Sequence, residues 1–100
     1  MTAILRIEHP VDDFDRWRNA FDSDPEGRES SGVRRYRIMR GRENRNVVLI
    51  DLEFDAPGPA DDFLLRLRRL WTRVEVVRDP RARVVELVEE KTLAPEQASA

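Results

Sequence analysis

The sequence contains no cysteine and only one histidine, His9. The first absence excludes disulfides, thiolate nucleophiles and cysteine-ligated zinc or iron–sulfur centres. The second excludes multi-histidine metal sites. The four glycines, at positions 27, 32, 41 and 58, never cluster, so no phosphate-cradling loop is visible. No apolar run approaches the ~20 residues of a membrane span, and no apolar stretch follows Met1 as in a signal peptide. The expectation is a cytoplasmic protein with no membrane partner. Neither sign of charge dominates: 18 basic residues stand against 20 acidic ones, a net charge of −2, which speaks against a nucleic-acid partner. What remains is a chain of 100 residues, 40% hydrophobic and 38% charged, the size of one core.

The near-neutral total conceals an order. Residues 1–27 carry −4, 28–45 carry +5, 46–65 carry −5, 66–83 carry +5 and 84–100 carry −3. All basic residues but Lys91 are arginine. Two readings stay open: a solvated charged surface, or basic and acidic blocks that meet across elements or subunits, where arginine forks grip carboxylates bidentately.

Thr2 to His9 alternates, with Ala3, Leu5, Ile7 and His9 on one parity, which predicts a strand that Pro10 closes. Asp12 or Asp13 caps a helix carrying Phe14, Trp17, Ala20 and Phe21 at helical spacing, with Asp15 in its first turn. Residues 22–32, DSDPEGRESSG, form a connector, with room for one further helical turn after Asp24-Pro25 before Gly32. Val33 to Met39 and Val47 to Phe54 predict strands joined as a hairpin through the polar stretch Gly41 to Asn46. Ala56-Pro57-Gly58-Pro59 opens a second helix with Ala60, Phe63, Leu64, Leu67, Leu70, Trp71 and Val74 on one face. Asp61 and Asp62 are expected in its first turn and Arg69 and Arg73 near its end. Arg83 to Val88 predicts the fourth strand. Residues 1–90 are expected as the domain and 91–100 as a flexible C-terminal tail.

The order β-α-β-β-α-β is that of an α+β, ferredoxin-like domain: a four-stranded antiparallel sheet with two helices on one face. Strand three is apolar on both parities, with Val48, Ile50, Leu52 and Phe54 opposite Val47 and Leu49. Strand four repeats this, with Val84 and Val88 opposite Val85 and Leu87. A sheet with one wet face shows polar residues there. The expected cover is a second copy, giving a homodimer.

Three stretches carry a resemblance. The strand-to-helix junction IEHPVDDFDRWRNAF, the second strand GVRRYRIMRG (Gly32, Val33, Tyr36) and the stretch VVLIDLEFDAPGPADDF together resemble the dimeric α+β barrel superfamily, and within it small antibiotic-biosynthesis-monooxygenase-like and uncharacterised barrel proteins. The resemblance spans roughly residues 3–90. It implies two sheets meeting as a homodimeric barrel, with a pocket in each subunit between helices and sheet. Members oxidise polycyclic phenols without a cofactor, degrade haem, catalyse related cyclisations or isomerisations, or have no assigned role, and the fold does not choose among them. The haem branch of the resemblance fits poorly: Ile7 stands where that branch has an Asn, Arg66 stands three residues after Phe63 where it has a Trp, and no histidine follows His9.

The leading expectation is therefore a monooxygenase- or cyclase-like enzyme with no cofactor, acting on an aromatic or polyketide-like molecule; the alternative is a non-catalytic dimeric module. His9 titrates nearest neutrality and shares parity with Leu5 and Ile7, so it is a base facing the pocket, a hydrogen-bond donor to a ligand carbonyl, or a hydrogen-bonded histidine at a strand end. Tyr36 is the second candidate catalytic residue, a hydrogen-bond partner that would orient the ligand. Trp17, Phe21, Phe63 and Trp71 are either plain core or the walls of a flat apolar slot. Arg35, which shares parity with Val33, is the candidate to orient a ligand, against a solvated or interface role. Other motifs fail. DSDPEG from Asp22 begins like a calcium loop, but Pro25 interrupts it and its twelfth position is Val33. One histidine with scattered serines gives no triad. The stacking aromatics of an RNA-recognition domain are missing from the central strands.

Overall fold

A computed structural model describes residues 1–74 and 77–94. Its elements follow the order β1 (Ala3–Pro10), α1 (Phe14–Asp22), β2 (Val33–Arg40), β3 (Val47–Phe54), α2 (Pro57–Trp71) and β4 (Arg81–Glu86). The four strands form one antiparallel sheet in the order β2-β3-β1-β4. This is the ferredoxin-like βαββαβ arrangement the sequence predicts.

Alternation positions the core. Ala3, Leu5, Ile7 and His9 on β1 stand opposite Phe54, Leu52, Ile50 and Val48 on β3, and all eight are buried. Phe63 and Ala60 of α2 and Trp17 of α1 cover them. Asp13, rather than Asp12, caps α1: its Oδ1 accepts the Arg16 N–H at 3.2 Å, satisfying one of the free donors of the first turn. Gly32 enters β2 at φ 103°, a conformation that disfavours any side chain.

The structure moves several expected boundaries. α2 begins at Pro57, because a proline at the first helical positions needs no N–H partner. Asp61 and Asp62 thus fall in the second turn rather than the first, and the helix ends at Trp71, before Arg73 and Val74. No helix follows Asp24-Pro25; residues 23–32 form successive turns. β4 pairs with β1 over Arg81–Glu86, so Val88, expected within it, lies beyond the strand and is exposed. Residues 91–94 have no regular secondary structure; the rest of the expected tail, 95–100, lies outside the described residues.

The second sheet face is less apolar than its sequence pattern. Ile4, Val47, Leu49 and Val85 are half-buried there without any helix above them. At its centre Asp51, which is buried, accepts from Arg6 Nε and Nη2 at 2.9 Å each and from Arg37 Nη2 at 3.4 Å. The Arg6 hydrogen bonds hold the Asp51 carboxyl below its ordinary value of 3.8; burial opposes them, and the charges of Arg6 and Arg37 add to the lowering.

This lowering makes stability depend on pH with a definite sign. The unfolded chain binds a proton at Asp51 near the ordinary carboxyl value while the folded chain does not, so protons favour unfolding there. The contribution is complete above about pH 4 and is lost as pH falls from there through the lowered folded value. Urea unfolding of wild type against Asp51→Asn is expected to show a drop in stability below about pH 4 that is shallower in the variant. Parallel pH profiles would remove Asp51 from the acid response.

Candidate functional site

A cavity of about 260 Å³ lies between the two helices and the inner sheet face. Its floor is Ile7, Ile50 and Leu52 from the central strands. Trp17, Ala20 and Phe21 of α1 form one wall, and Phe63, Leu67 and Trp71 of α2 the other. The connector closes one side with Asp24, Glu26 and Arg28, and Val74 and Val77 contribute beyond the end of α2. The cavity explains the burial of α2: Phe63 is sealed, whereas Leu67, Leu70 and Trp71 on the same stripe are only half-buried, because they face open space rather than packed sheet.

His9 is the one titratable group the sheet contributes to this lining. Its parity on β1 turns it inward, where it is 2% exposed and its ring centroid is 5.9 Å from that of Trp17. Its Nδ1 lies 3.0 Å from the Pro10 carbonyl oxygen. A carbonyl only accepts, so Nδ1 carries the proton, and the neutral ring offers Nε2 as an acceptor. Burial pushes the imidazole below its ordinary 6.5, partly opposed by the hydrogen bond to Pro10. At neutral pH His9 is therefore an uncharged base in an apolar chamber.

Trp17 and Phe21 stand one turn apart on α1 with ring centroids 5.2 Å apart and planes 31° from parallel. Together with Phe63 and Trp71 they line the cavity, so these four sequence candidates and His9 come together. Tyr36 does not join them. It is 42% exposed, its ring packs on Phe21 at a centroid distance of 5.2 Å with the planes 67° apart, and it does not line the cavity. Tyr36 supports the wall and is not placed to bond a ligand beside His9.

Arg35 is also displaced, for a reason the strand pattern conceals. The β2–β3 register slips between Val33 and Arg35: Val33 pairs with Phe54, yet Arg35 pairs with Glu53. One extra residue in a bulge moves the following side chains to the opposite face. Arg35 and Arg37 thus leave the parity of Val33 for the outer face, where Arg35 Nε lies 2.6 Å from Glu53 Oε2. Tyr36 and Ile38 take the inner face instead.

Arg28 went unrecognised in the sequence. Its Nη1 donates to the Phe21 carbonyl at 2.7 Å, and its Cζ lies 3.8 Å from the Phe21 ring centroid and 5.1 Å from that of Tyr36. Asp24, at φ 51°, accepts the Arg28 backbone N–H at 2.9 Å and so ties the connector into place. The local signal was Asp24-Pro25-Glu26-Gly27, a turn; which way that turn faces is a tertiary fact.

No protein-family model and no curated protein matches the chain. Among solved structures it is similar to Rv0793 from Mycobacterium tuberculosis, with a TM-score of 0.64 at 12% identity over 92% of this chain and 100% of that one. It is also similar to a dimeric ferredoxin-like protein from an uncultured marine organism, with a TM-score of 0.62 at 10% identity over 93% of each chain. At such identities the likeness concerns architecture alone, and with the strand order and register it establishes that this chain has the α+β, ferredoxin-like fold.

Proposed function

We propose that this protein is a small cytoplasmic homodimer in which each subunit binds a planar aromatic molecule, and that His9 removes a proton from it in a cofactor-independent oxidation of the antibiotic-biosynthesis-monooxygenase type. The observation that carries the reading is a neutral imidazole, its Nδ1 occupied by Pro10, on the wall of an apolar cavity flanked by Trp17 and Trp71. At about 260 Å³ the cavity is just below the roughly 300–1,000 Å³ typical of drug-sized ligands, which suits a few fused rings and is small for a macrocycle.

The chemistry this geometry supports is proton abstraction. An acidic C–H between aromatic rings, as in an anthrone-like phenol, loses its proton to Nε2 of His9. The carbanion then reduces dioxygen: one oxygen atom becomes the new carbonyl, the other leaves as water with the two hydrogens of the methylene, and four electrons pass from carbon to oxygen. The largely apolar lining limits water around the carbanion, and Trp17 gives the fused rings an aromatic surface to pack against.

The dimer is supported by the outer sheet face, where Ile4, Val47, Leu49 and Val85 surround the Arg6–Asp51–Arg37 cluster, and by the dimeric state named for the marine-organism protein. Sedimentation at micromolar concentration is expected to give a dimer; a monomer would overturn this part. Oxygen uptake with a panel of anthrone-like phenols tests the chemistry, with titration of the tryptophan fluorescence reporting binding. Binding without uptake would leave a ligand-binding module, the reading favoured by the position of Tyr36 outside the cavity. Neither binding nor uptake would reject both.

A further inference from the structure

Besides the carboxylates of Asp24 and Glu26, the cavity lining carries His9 and Arg28, two groups of opposite hydrogen-bonding character. His9 offers an acceptor at Nε2. Arg28, which only donates, stands on the other side of the Trp17–Phe21 pair: His9 packs against Trp17 at 5.9 Å, and Arg28 stacks on Phe21 at 3.8 Å. The Arg28 side chain is 16% exposed and fixed in place by the Phe21 carbonyl and the rings of Phe21 and Tyr36. Only its Nη1 is used among the described residues, leaving Nε–H and the Nη2 hydrogens without a protein acceptor.

Charge at this end is balanced. Asp24 Oδ1 lies 3.5 Å from Arg28 Nη1, and Glu26 Oε1 lies 3.9 Å from Arg66 Nε. Two carboxylates against two guanidiniums leave no net attraction for an anion, while the unused donors remain directional. We infer that Arg28 is a specificity-determining residue that selects ligands with a neutral oxygen acceptor, such as an aryl ketone or quinone carbonyl, at the end remote from His9. This rests on the cavity being a ligand site and adds the substituent pattern: an acceptor at Arg28 and an acidic hydrogen at His9. A carbonyl oxygen directed at His9 instead would meet the Nε2 lone pair, so the two groups fix one orientation.

Calorimetric titration with three naphthalenes of similar shape tests this, bearing a 2-acetyl, a 2-isopropyl or a 2-carboxylate group. In the wild-type protein the ketone is expected to bind about tenfold tighter than the hydrocarbon, the worth of one hydrogen bond to a charged donor, and at least as tightly as the carboxylate. Arg28→Met, which keeps an apolar stem over Phe21, is expected to bring the ketone to the level of the hydrocarbon while hydrocarbon binding persists. Equal affinities for ketone and hydrocarbon in wild type would overturn the role of Arg28 and leave the cavity as a ligand site; this comparison needs no variant. A preference for the carboxylate would overturn the neutral-acceptor assignment. Failure of all three to bind would overturn both the inference and the reading it rests on.

Discussion

Phe54→Ala is expected to lower the unfolding free energy by about 3–5 kcal/mol, the largest stability loss of any single truncation proposed for this chain. Phe54 ends β3 with no exposed surface, and its ring lies 5.8 Å from that of Phe63 on α2. It pairs with Ala3 on one side and Val33 on the other, so the ring fills the space where three strands meet the longer helix. Ala3 and Ala60, also buried, are too short to reach into the void. For a domain of this size the loss corresponds to a fall in Tm of roughly 12 °C or more. Leu65→Ala provides the contrast: Leu65 is 56% exposed on the outer side of α2, and its truncation is expected to stay within about 0.5 kcal/mol. Urea and thermal unfolding at one fixed protein concentration measure both. A Phe54→Ala loss below about 1 kcal/mol would show that the α2–sheet core is not packed as described.

His9→Ala is expected to reduce oxygen uptake with a responsive phenol by about 10²–10⁴-fold, the usual contribution of a positioned general base. The wild-type kcat/KM is expected to rise with pH with a midpoint below the ordinary 6.5, because burial lowers the imidazole and only the neutral ring accepts a proton. His9→Gln keeps a polar side chain of similar length without a base. It is expected to lose turnover and the pH-dependent rise together while retaining ligand affinity within a few-fold. Rates equal to wild type in both variants would retire His9 from the mechanism. The same depression acts on stability. The unfolded chain protonates His9 near 6.5 and the folded chain only below that, so acidification from about pH 7 to pH 5 is expected to destabilise wild type more than His9→Gln.

The parts of the site visible in the sequence were those governed by short periods. His9 shares the two-residue period of β1 with Leu5 and Ile7, so its inward direction was readable before any contact was known. Trp17, Phe21, Phe63 and Trp71 obey helical spacing, and each does line the cavity. The same reasoning failed on β2. Arg34 and Arg35 carry no glycine or other mark of a bulge, yet the slip beside them exchanges the faces of Tyr36, Arg35 and Arg37. A single unpaired residue reverses every later assignment on a strand, and local pattern has no access to pairing.

Asp51 shows the complementary gap. Within VVLIDLEF it reads as one acid in an apolar strand, and nothing nearby in sequence announces its partners. Arg6 is 45 residues away, brought alongside by β1–β3 pairing, and Arg37 arrives through the β2–β3 register. Of the two contacts, only that of Arg37 joins a basic block (28–45) to an acidic one (46–65); Arg6 belongs to the acidic block 1–27, so the charge order did not announce its pairing with Asp51.

The sequence by itself determined that this chain lacks thiol and multi-histidine metal chemistry, that it builds two helices on a four-stranded sheet, and that one histidine faces the helices. These follow from composition and from periods of two and 3.6 residues, which act within a single element. Only the tertiary structure decided which aromatic rings leave a cavity between them and that Tyr36 supports its wall from outside. It likewise turned Arg35 outward and set Arg28 on the cavity's edge. Those outcomes depend on register, helix placement and the turns of the connector, which are fixed by contacts between residues far apart in the chain.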